Sequence, residues 1–357
     1  MSQLSRPPFD PELDAVWDVV LAVVGDQIPT LTREAIQQLR ERPSFKLTDE
    51  MVAKAGLVSR ELSIPGYEGE TLAATVISRA DHTGLGPGIY HIHGGGMVTG
   101  HRMLGPAQML PWIVEHDAVL VTVEYRLAPE FPDPYPVEDC YAGLVWTADH
   151  AAELGIDADR LIVAGGSAGG GLSAGTALLA RDRQGPKLAG QVLIGPMIDD
   201  RDQTVSTLQY DDAGIGTRAY DQLGWWALLG ERRGTENVSI YAAPARAKDL
   251  SGLPPTYIDC GSAEVFRDED VAYATALWEA GVAAELHVWA GGFHSFHAIA
   301  PHTAIAQAAN TARNAWVARL FGPGAPRRHA KVVVDLTAPH ASHHALSNEK
   351  GRSGQCG

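Results

Sequence analysis

With 357 residues, 45% of them hydrophobic, the chain can bury a large core, as one α/β domain or as a domain with a smaller lid. A formal charge of −15 argues against nucleic acid and against anionic membrane surfaces as partners. Cys140, Cys260 and Cys356 are widely spaced and odd in number, so they offer neither a metal-ligand spacing nor a disulfide framework, and the amino terminus lacks the apolar core of a signal peptide. These features lead us to expect a soluble, cytoplasmic protein with no metal, no cofactor and no membrane insertion.

Residues 1–56 are expected to be helical and separate from the rest of the chain. Asp10-Pro11 combines a cap with a first-turn proline and leads into Leu13, Val16, Trp17, Val20 and Leu21 at helical spacing. A second helix should run from near Thr32 through Ile36 and Leu39 and stop before Pro43. This segment reads either as a structural appendage or as part of a lid over a pocket.

From about residue 57 the apolar period shortens toward two. Val58–Ile64 and Leu72–Ile77 read as an antiparallel pair with a turn around Pro65-Gly66. Gly88–Ile92 and Ala118–Val123 are short apolar runs of the buried kind. Next come a helix over 137–150, a strand before residue 167, a helix to about Arg181 and a strand over 191–194. The alternation resumes with a strand at 256–258, a helix from Asp268 to Ala280, a strand over 284–289 and a helix from Ala304 to Leu320. Strands alternating with helices predict an α/β fold, a mostly parallel central sheet flanked by helices.

Between two of these strands, residues 199–246 are too long for an ordinary loop. They begin acidic (Asp199, Asp200, Asp202) and then carry Tyr210, Tyr220, Trp225, Trp226 and Tyr241, so they read as an inserted helical excursion above the strand ends. The tail, 322–357, contains Arg327, Arg328, His329, His340, His343 and His344 without ligand spacing and reads as a disordered extension, apart from the run Val332–Val334. The catalytic domain is then 57–198 with 247–321, and 1–56 with 199–246 are the candidate cap.

Chemistry concentrates where the apolar run Leu161–Ala164 passes into Gly165-Gly166-Ser167-Ala168-Gly169 and then into a helix-like segment. Strand, tight turn, serine and helix make the layout of a nucleophile elbow. A second G-x-S-x-G, Gly171-Leu172-Ser173-Ala174-Gly175, lies six residues on, but Ser173 would sit inside the helix with no strand end to project from. Upstream, His93-Gly94-Gly95-Gly96 comes directly after a strand, where consecutive glycines can turn backbone N–H groups toward a developing oxyanion. The N–H of Ala168 would add a third donor.

A serine nucleophile also needs a base and an acid, in the order serine, acid, histidine for such sheets. His294 lies just past the last strand, where a loop can carry it over the serine. His287 sits within that strand, and His297 and His302 fall where the next helix should begin. Asp259, Glu264, Asp268, Glu269 and Asp270 lie after the strand at 256–258. Asp268–Asp270 look like a solvated helix start, and spacing alone only slightly prefers Glu264 over Asp259.

Taken together, the chain resembles the hormone-sensitive lipase-like esterases of the α/β-hydrolase fold. The matching pieces are His91–Gly96, Tyr125-Arg126-Leu127-Ala128-Pro129-Glu130, Gly165–Gly170, Asp249–Pro255, Arg267-Asp268-Glu269 and Gly292-Phe293-His294, in order across roughly 60–320. The resemblance implies an α/β-hydrolase fold with a helical cap formed by the N-terminal helices and the 199–246 insertion. It implies Ser167, Glu264 and His294 as triad, with an oxyanion hole at Gly95, Gly96 and Ala168. Three positions depart from the family pattern. Gly166 stands where an acidic or hydroxyl residue is common, Glu264 where aspartate is common, and Ser295 where glycine often comes after the histidine. The implied activity is hydrolysis of short to medium carboxylic esters through an acyl-enzyme, on a small-molecule substrate, with room for a homodimer. The same triad could serve a lactone, a carbamate or an N-acetyl group, and the same fold also serves as a non-catalytic small-molecule receptor when the histidine is lost.

Overall fold

Eight strands form one sheet in the computed structural model, which describes residues 4–24, 32–42, 45–211 and 215–322, with the backbone alone for 18–24. They are β1 (Leu57–Pro65), β2 (Thr71–Arg79), β3 (Gly86–Ile92), β4 (Val119–Val123), β5 (Ile156–Gly166), β6 (Gly190–Ile194), β7 (Thr256–Gly261) and β8 (Ala284–Trp289). Their spatial order is β1-β2-β4-β3-β5-β6-β7-β8. β2 pairs antiparallel with β1 and with β4, and every other pairing is parallel.

The composition of the strands reflects this order. β3, β4, β6 and β7 are buried along their whole length, which is why they read as continuous apolar runs. Their side chains still alternate between two cores. Ile89, Leu120, Ile162 and Val192 pack on one face with Trp112, Trp316 and Val317. Tyr90, Val121, Val163 and Leu193 pack on the other with Val137, Leu144, Leu178 and Tyr273. The edge strand β1 shows mixed burial, as an edge should.

The expected elements are present with ends moved by a few residues: helices at Tyr135–Asp149, Ala168–Asp182, Arg267–Glu279 and Ala304–Phe321. Pro65 completes β1 rather than starting the turn, and the link to β2 runs through a single tight turn at Tyr67–Gly69. A helix at Leu110–His116 has no counterpart among the expected elements. It is two turns long and buries Leu110, Trp112 and Ile113, too short a stretch for a period to declare itself.

The helix Pro11–Val24 starts as expected, with Asp10 Oδ1 accepting from the Glu12 N–H at 2.9 Å. Leu13 is fully buried and packs with Phe9, Val16 and Trp17 around Phe293 and Phe296. The helix Arg33–Glu41 is capped by Thr32 Oγ1, which accepts from the Ala35 N–H at 3.1 Å. Within 199–246 lie the helices Val205–Gln209 and Arg218–Leu229, and Trp225 is completely buried. The side chains of Val20 and Leu21, Pro43, and the whole tail beyond Gly322, including Arg327, Arg328, His329, Val332–Val334, His340, His343, His344 and Cys356, lie outside the described residues.

Candidate active site

β5 ends at Gly166, and Ser167 turns the chain into the helix Ala168–Asp182 with φ +57 and ψ −130. That is a strained conformation for a residue with a β-carbon, and such strain is held where the surroundings fix it. Here they do. The Ser167 N–H donates to the Ile194 carbonyl at 2.9 Å, and the Ser167 carbonyl accepts from Met197 N–H at 3.0 Å. The flanking glycines are required by close approach. A β-carbon on Gly169 would lie 2.2 Å from the Ile92 carbonyl oxygen, and one on Gly165 would lie 2.3 Å from that of Gly169. At Gly166 a β-carbon would meet nothing closer than 3.5 Å, so packing does not force the missing side chain there.

Ser173, the rival, is fully buried inside the helix, and its hydroxyl donates to the Gly169 carbonyl at 2.7 Å. The structure therefore separates two identical motifs. Only Ser167 stands at a strand end.

The loop after β3 lies directly over that serine. A β-carbon on Gly94 would come within 3.4 Å of Ser167 Cβ. Gly95 and Gly96 both take positive φ, +113 and +63. The Gly95 carbonyl is tied back by Val98 N–H at 3.1 Å and Thr99 N–H at 2.9 Å. Among the described residues, none accepts a hydrogen bond from the N–H of Gly95, Gly96 or Ala168. Three backbone N–H groups near the serine are thus free to donate, the kind of group an oxyanion needs.

His93 supports this loop. Its ring stacks on Tyr125 at 4.1 Å, its Nδ1 bonds the Gly94 carbonyl at 2.8 Å, and Tyr125 donates to the His93 carbonyl at 3.0 Å. Burial drives its pKa down to about 4, so it is neutral. The Tyr125–Glu130 run is thereby explained as bracing: Tyr125 holds His93, Arg126 makes a two-pronged pair with buried Asp139, and Glu130 anchors Arg40. Arg40 also donates to the Val98 carbonyl at 2.7 Å and to the Ala128 carbonyl at 2.9 Å. Nothing in the sequence marks Arg40, because its partners, two carbonyls and the Glu130 carboxylate, lie some 60 to 90 residues away.

On the opposite side, His294 Nδ1 lies 2.8 Å from Glu264 Oε2, and both residues are buried. The second Glu264 oxygen accepts from the Gly261 N–H at 3.1 Å. Glu264 therefore reaches His294 despite its extra methylene. The pair borders the same short segment that grips Ser167: a β-carbon on Gly195 would lie 3.2 Å from Glu264 Oε1 and 3.3 Å from the His294 ring. Ser295, where glycine is common, takes φ +63, a left-handed conformation that costs a residue with a β-carbon roughly 1–2 kcal/mol.

The other candidates are occupied elsewhere. Asp259 pairs with buried Arg313 at 2.7 Å, Asp268 accepts from Ser206 N–H at 2.8 Å, and Glu269 accepts from the Ile198 N–H at 2.9 Å. His287 stacks on Trp289 and bonds Glu285, and His302 is exposed. His297 is buried, and burial, with Arg313 and His294 nearby, holds its pKa well below the usual imidazole value. Asp270 is the surprise. Expected as a solvated helix start, it is fully buried, with its carboxyl oxygens near Glu264 and Cys260. These three groups have donor atoms within 4.8 Å of one another, yet both Glu264 oxygens are committed to Gly261 and His294, and we assign no metal there.

Two further regions touch residues at or beside the site. A β-carbon on Gly216 would lie 3.0 Å from the His294 ring, and one on Gly224 would lie 2.7 Å from the Gly96 carbonyl oxygen. From the other end of the chain, Trp17 and Phe9 rest on Phe293, and the Asp10 N–H donates to the Gly291 carbonyl at 3.0 Å.

Comparison with known proteins places the fold. A family model described as the alpha/beta hydrolase fold matches residues 89–298, more than half of the chain. Esterase LipI of Mycobacterium tuberculosis is 37% identical over 202 residues, 56% of this chain and 62% of that protein, so the match spans just under two thirds of its length. Carboxylesterase NlhH of the same species is 33% identical over 288 residues, covering 79% of this chain and 87% of its own. Among solved structures, a bacterial heroin esterase superposes with a TM-score of 0.79 at 36% identity, over 88% of this chain and 98% of the other.

Proposed function

The chain belongs to the alpha/beta hydrolase fold family, and from that premise we propose that it hydrolyses carboxylic esters through an acyl-enzyme formed on Ser167. The observation that carries the reading is the buried His294–Glu264 pair at 2.8 Å, set against the same 194–197 segment that holds the strained Ser167 backbone.

In this mechanism His294 takes the hydroxyl proton of Ser167 through its outer nitrogen as the oxygen attacks the ester carbonyl. The negative charge that develops is met by the N–H groups of Gly95, Gly96 and Ala168. Glu264 keeps the imidazole in the tautomer with its proton on Nδ1 and stabilises the imidazolium that forms. His294 then protonates the departing alcohol, water enters, and the same sequence releases the acid. Every proton is returned, so the residues on hand suffice without a cofactor.

The substrate class is argued from the roof. Gly216 sits over His294, Gly224 over Gly96, and the N-terminal helix on Phe293. These contacts favour a small-molecule ester with a short to medium acyl chain over an interfacial substrate. No helix among the described residues is long and apolar enough to cross a membrane. Cys140 and Cys260 are free and buried, which suits a reducing, cytoplasmic setting.

The test is a p-nitrophenyl ester series from acetate to decanoate, with wild type, Ser167→Ala, Ser173→Ala and His294→Ala. The first and last alanine variants should lose about 10³-fold or more in kcat, and Ser173→Ala should stay within about tenfold. Turnover that survives in Ser167→Ala and vanishes in a folded Ser173→Ala would overturn the assignment.

A further inference from the structure

Around Glu264 three buried groups from three parts of the fold converge. Cys260 comes from the end of β7, Glu264 from the loop after it, and Asp270 from the first turn of the helix Arg267–Glu279. Their sulfur and carboxyl oxygens lie within 4.8 Å of one another. Asp270 has no exposed surface, and neither of its oxygens accepts a hydrogen bond from any described N–H or O–H group.

Two carboxyl groups so close in a dry pocket cannot both be ionised, because each charge raises the cost of the other. Partners decide which one carries the charge. Glu264 accepts from the Gly261 N–H and is paired with His294, so its carboxylate is doubly satisfied. Asp270 has only the Cys260 thiol, a weak donor, beside it. The charges that act on it are Glu264, Glu269 and Asp259, all carboxylates and none a cation, while the Cys260 thiol opposes them weakly.

We infer that Glu264 and Asp270 share a single proton, which rests on Asp270 and makes it a neutral donor that positions the charged Glu264 for His294. Burial first, and then the neighbouring carboxylate of Glu264, push the Asp270 carboxyl well above the usual carboxylate range, in keeping with this assignment. A proton on Asp270 has two acceptors within 4.8 Å, the Glu264 carboxylate and the Cys260 sulfur, and the carboxylate is much the stronger. The longer acid is thereby supported, which answers how a glutamate is held in a slot where aspartate is usual. Donation to Glu264 also draws charge from it, so the imidazole it supports is a weaker base than it would be against an undamped carboxylate.

The inference rests on Glu264 being the acid that serves His294, and it can be tested without turnover. The His294 ring is titrated by NMR in the full chain carrying Ser167→Ala, with residue 270 as aspartate, as Asp270→Asn and as Asp270→Leu. Asparagine keeps a neutral donor of the same shape, so the His294 pKa should stay within about 0.3 units of the aspartate protein. Leucine removes the donor, so the His294 pKa should rise by about 0.5 units or more. With Ser167 restored, kcat should fall in the leucine variant with KM unchanged and be kept in the asparagine variant.

If Asp270→Asn lowers the His294 pKa by about a unit, Asp270 was ionised and the proposal fails. An unmoved pKa in a folded Asp270→Leu also overturns it. Should the leucine variant not fold, the asparagine arm still decides the charge on Asp270. A wild type that turns over no ester while these shifts hold would sink the proposed activity and leave the shared proton standing.

Discussion

The two sides of Ser167 are built from different materials. On the side of Gly94–Gly96 the groups our mechanism uses are backbone N–H donors, and the side chains Tyr125, Arg40 and Glu130 bond the backbone and one another around the loop. On the side of Glu264 and His294 the groups our mechanism uses are side chains, and the backbone supplies one donor, from Gly261, to Glu264. The first side should therefore be intolerant of added atoms and indifferent to charge. The second should accept changes of size more readily than a change of charge.

The largest effect that separates the two sides is expected on the charged one. Glu264→Gln preserves shape and removes the charge, and a glutamine can favour the wrong imidazole tautomer. We expect kcat to fall about 10³- to 10⁴-fold with folding intact. The contrasting variant is Asp259→Asn, close by in sequence and also buried. It strands Arg313, so it should cost stability, about 3–5 kcal/mol by chemical denaturation, with kcat per folded molecule close to wild type. If Asp259→Asn removes kcat from folded enzyme and Glu264→Gln does not, the acid has been misread.

On the backbone side the sharp probe is Gly95→Ala. The residue has φ +113, and its β-carbon would lie 2.3 Å from the Thr99 carbonyl oxygen, so the loop must shift to admit one methyl group. A displaced oxyanion donor typically costs about 10²- to 10³-fold in kcat. Steady-state kinetics beside a circular dichroism spectrum would separate this from unfolding. A folded Gly95→Ala with near-normal kcat would mean that the oxyanion is bound elsewhere.

This difference in material also explains what can be read from the sequence. Backbone devices advertise themselves, because glycine is needed in a fixed place: the His93–Gly96 and Gly165–Gly169 stretches are legible, and so is the strand–helix alternation that puts them at strand ends. Side-chain partnerships made across the fold are not. Spacing alone leaves Glu264 hardly better than Asp259, since only the three-dimensional position of Arg313 removes Asp259 from contention. Asp270 is misjudged from sequence for the same reason. An acid in a helix's first turn is normally solvated there, and its burial depends on Cys260 and Glu264 packing over it. Arg40 carries no signal at all.

The two sides meet in one place, and the smallest effect is expected there. The helix Arg218–Leu229 lays Gly224 on Gly96, and its first turn buries Asp221, which interacts electrostatically with Glu269 on the acid-side helix. Burial first, then Asp202, pushes the Asp221 carboxyl well above its ordinary value of 3.8, and one of its oxygens has no hydrogen-bond partner among the described residues. A folded pKa above the unfolded one means that the native state holds a proton the unfolded chain has released. The associated stability is full below about pH 4 and is lost as the pH rises through the folded value. Asp221→Asn removes that loss. Its melting temperature should match wild type near pH 4 and exceed it by about 2 °C or more at pH 8.5, read by scanning calorimetry. A gap that stays constant between the two pH values would mean that Asp221 does not titrate across this interface, and that the excursion is held over the site by packing alone.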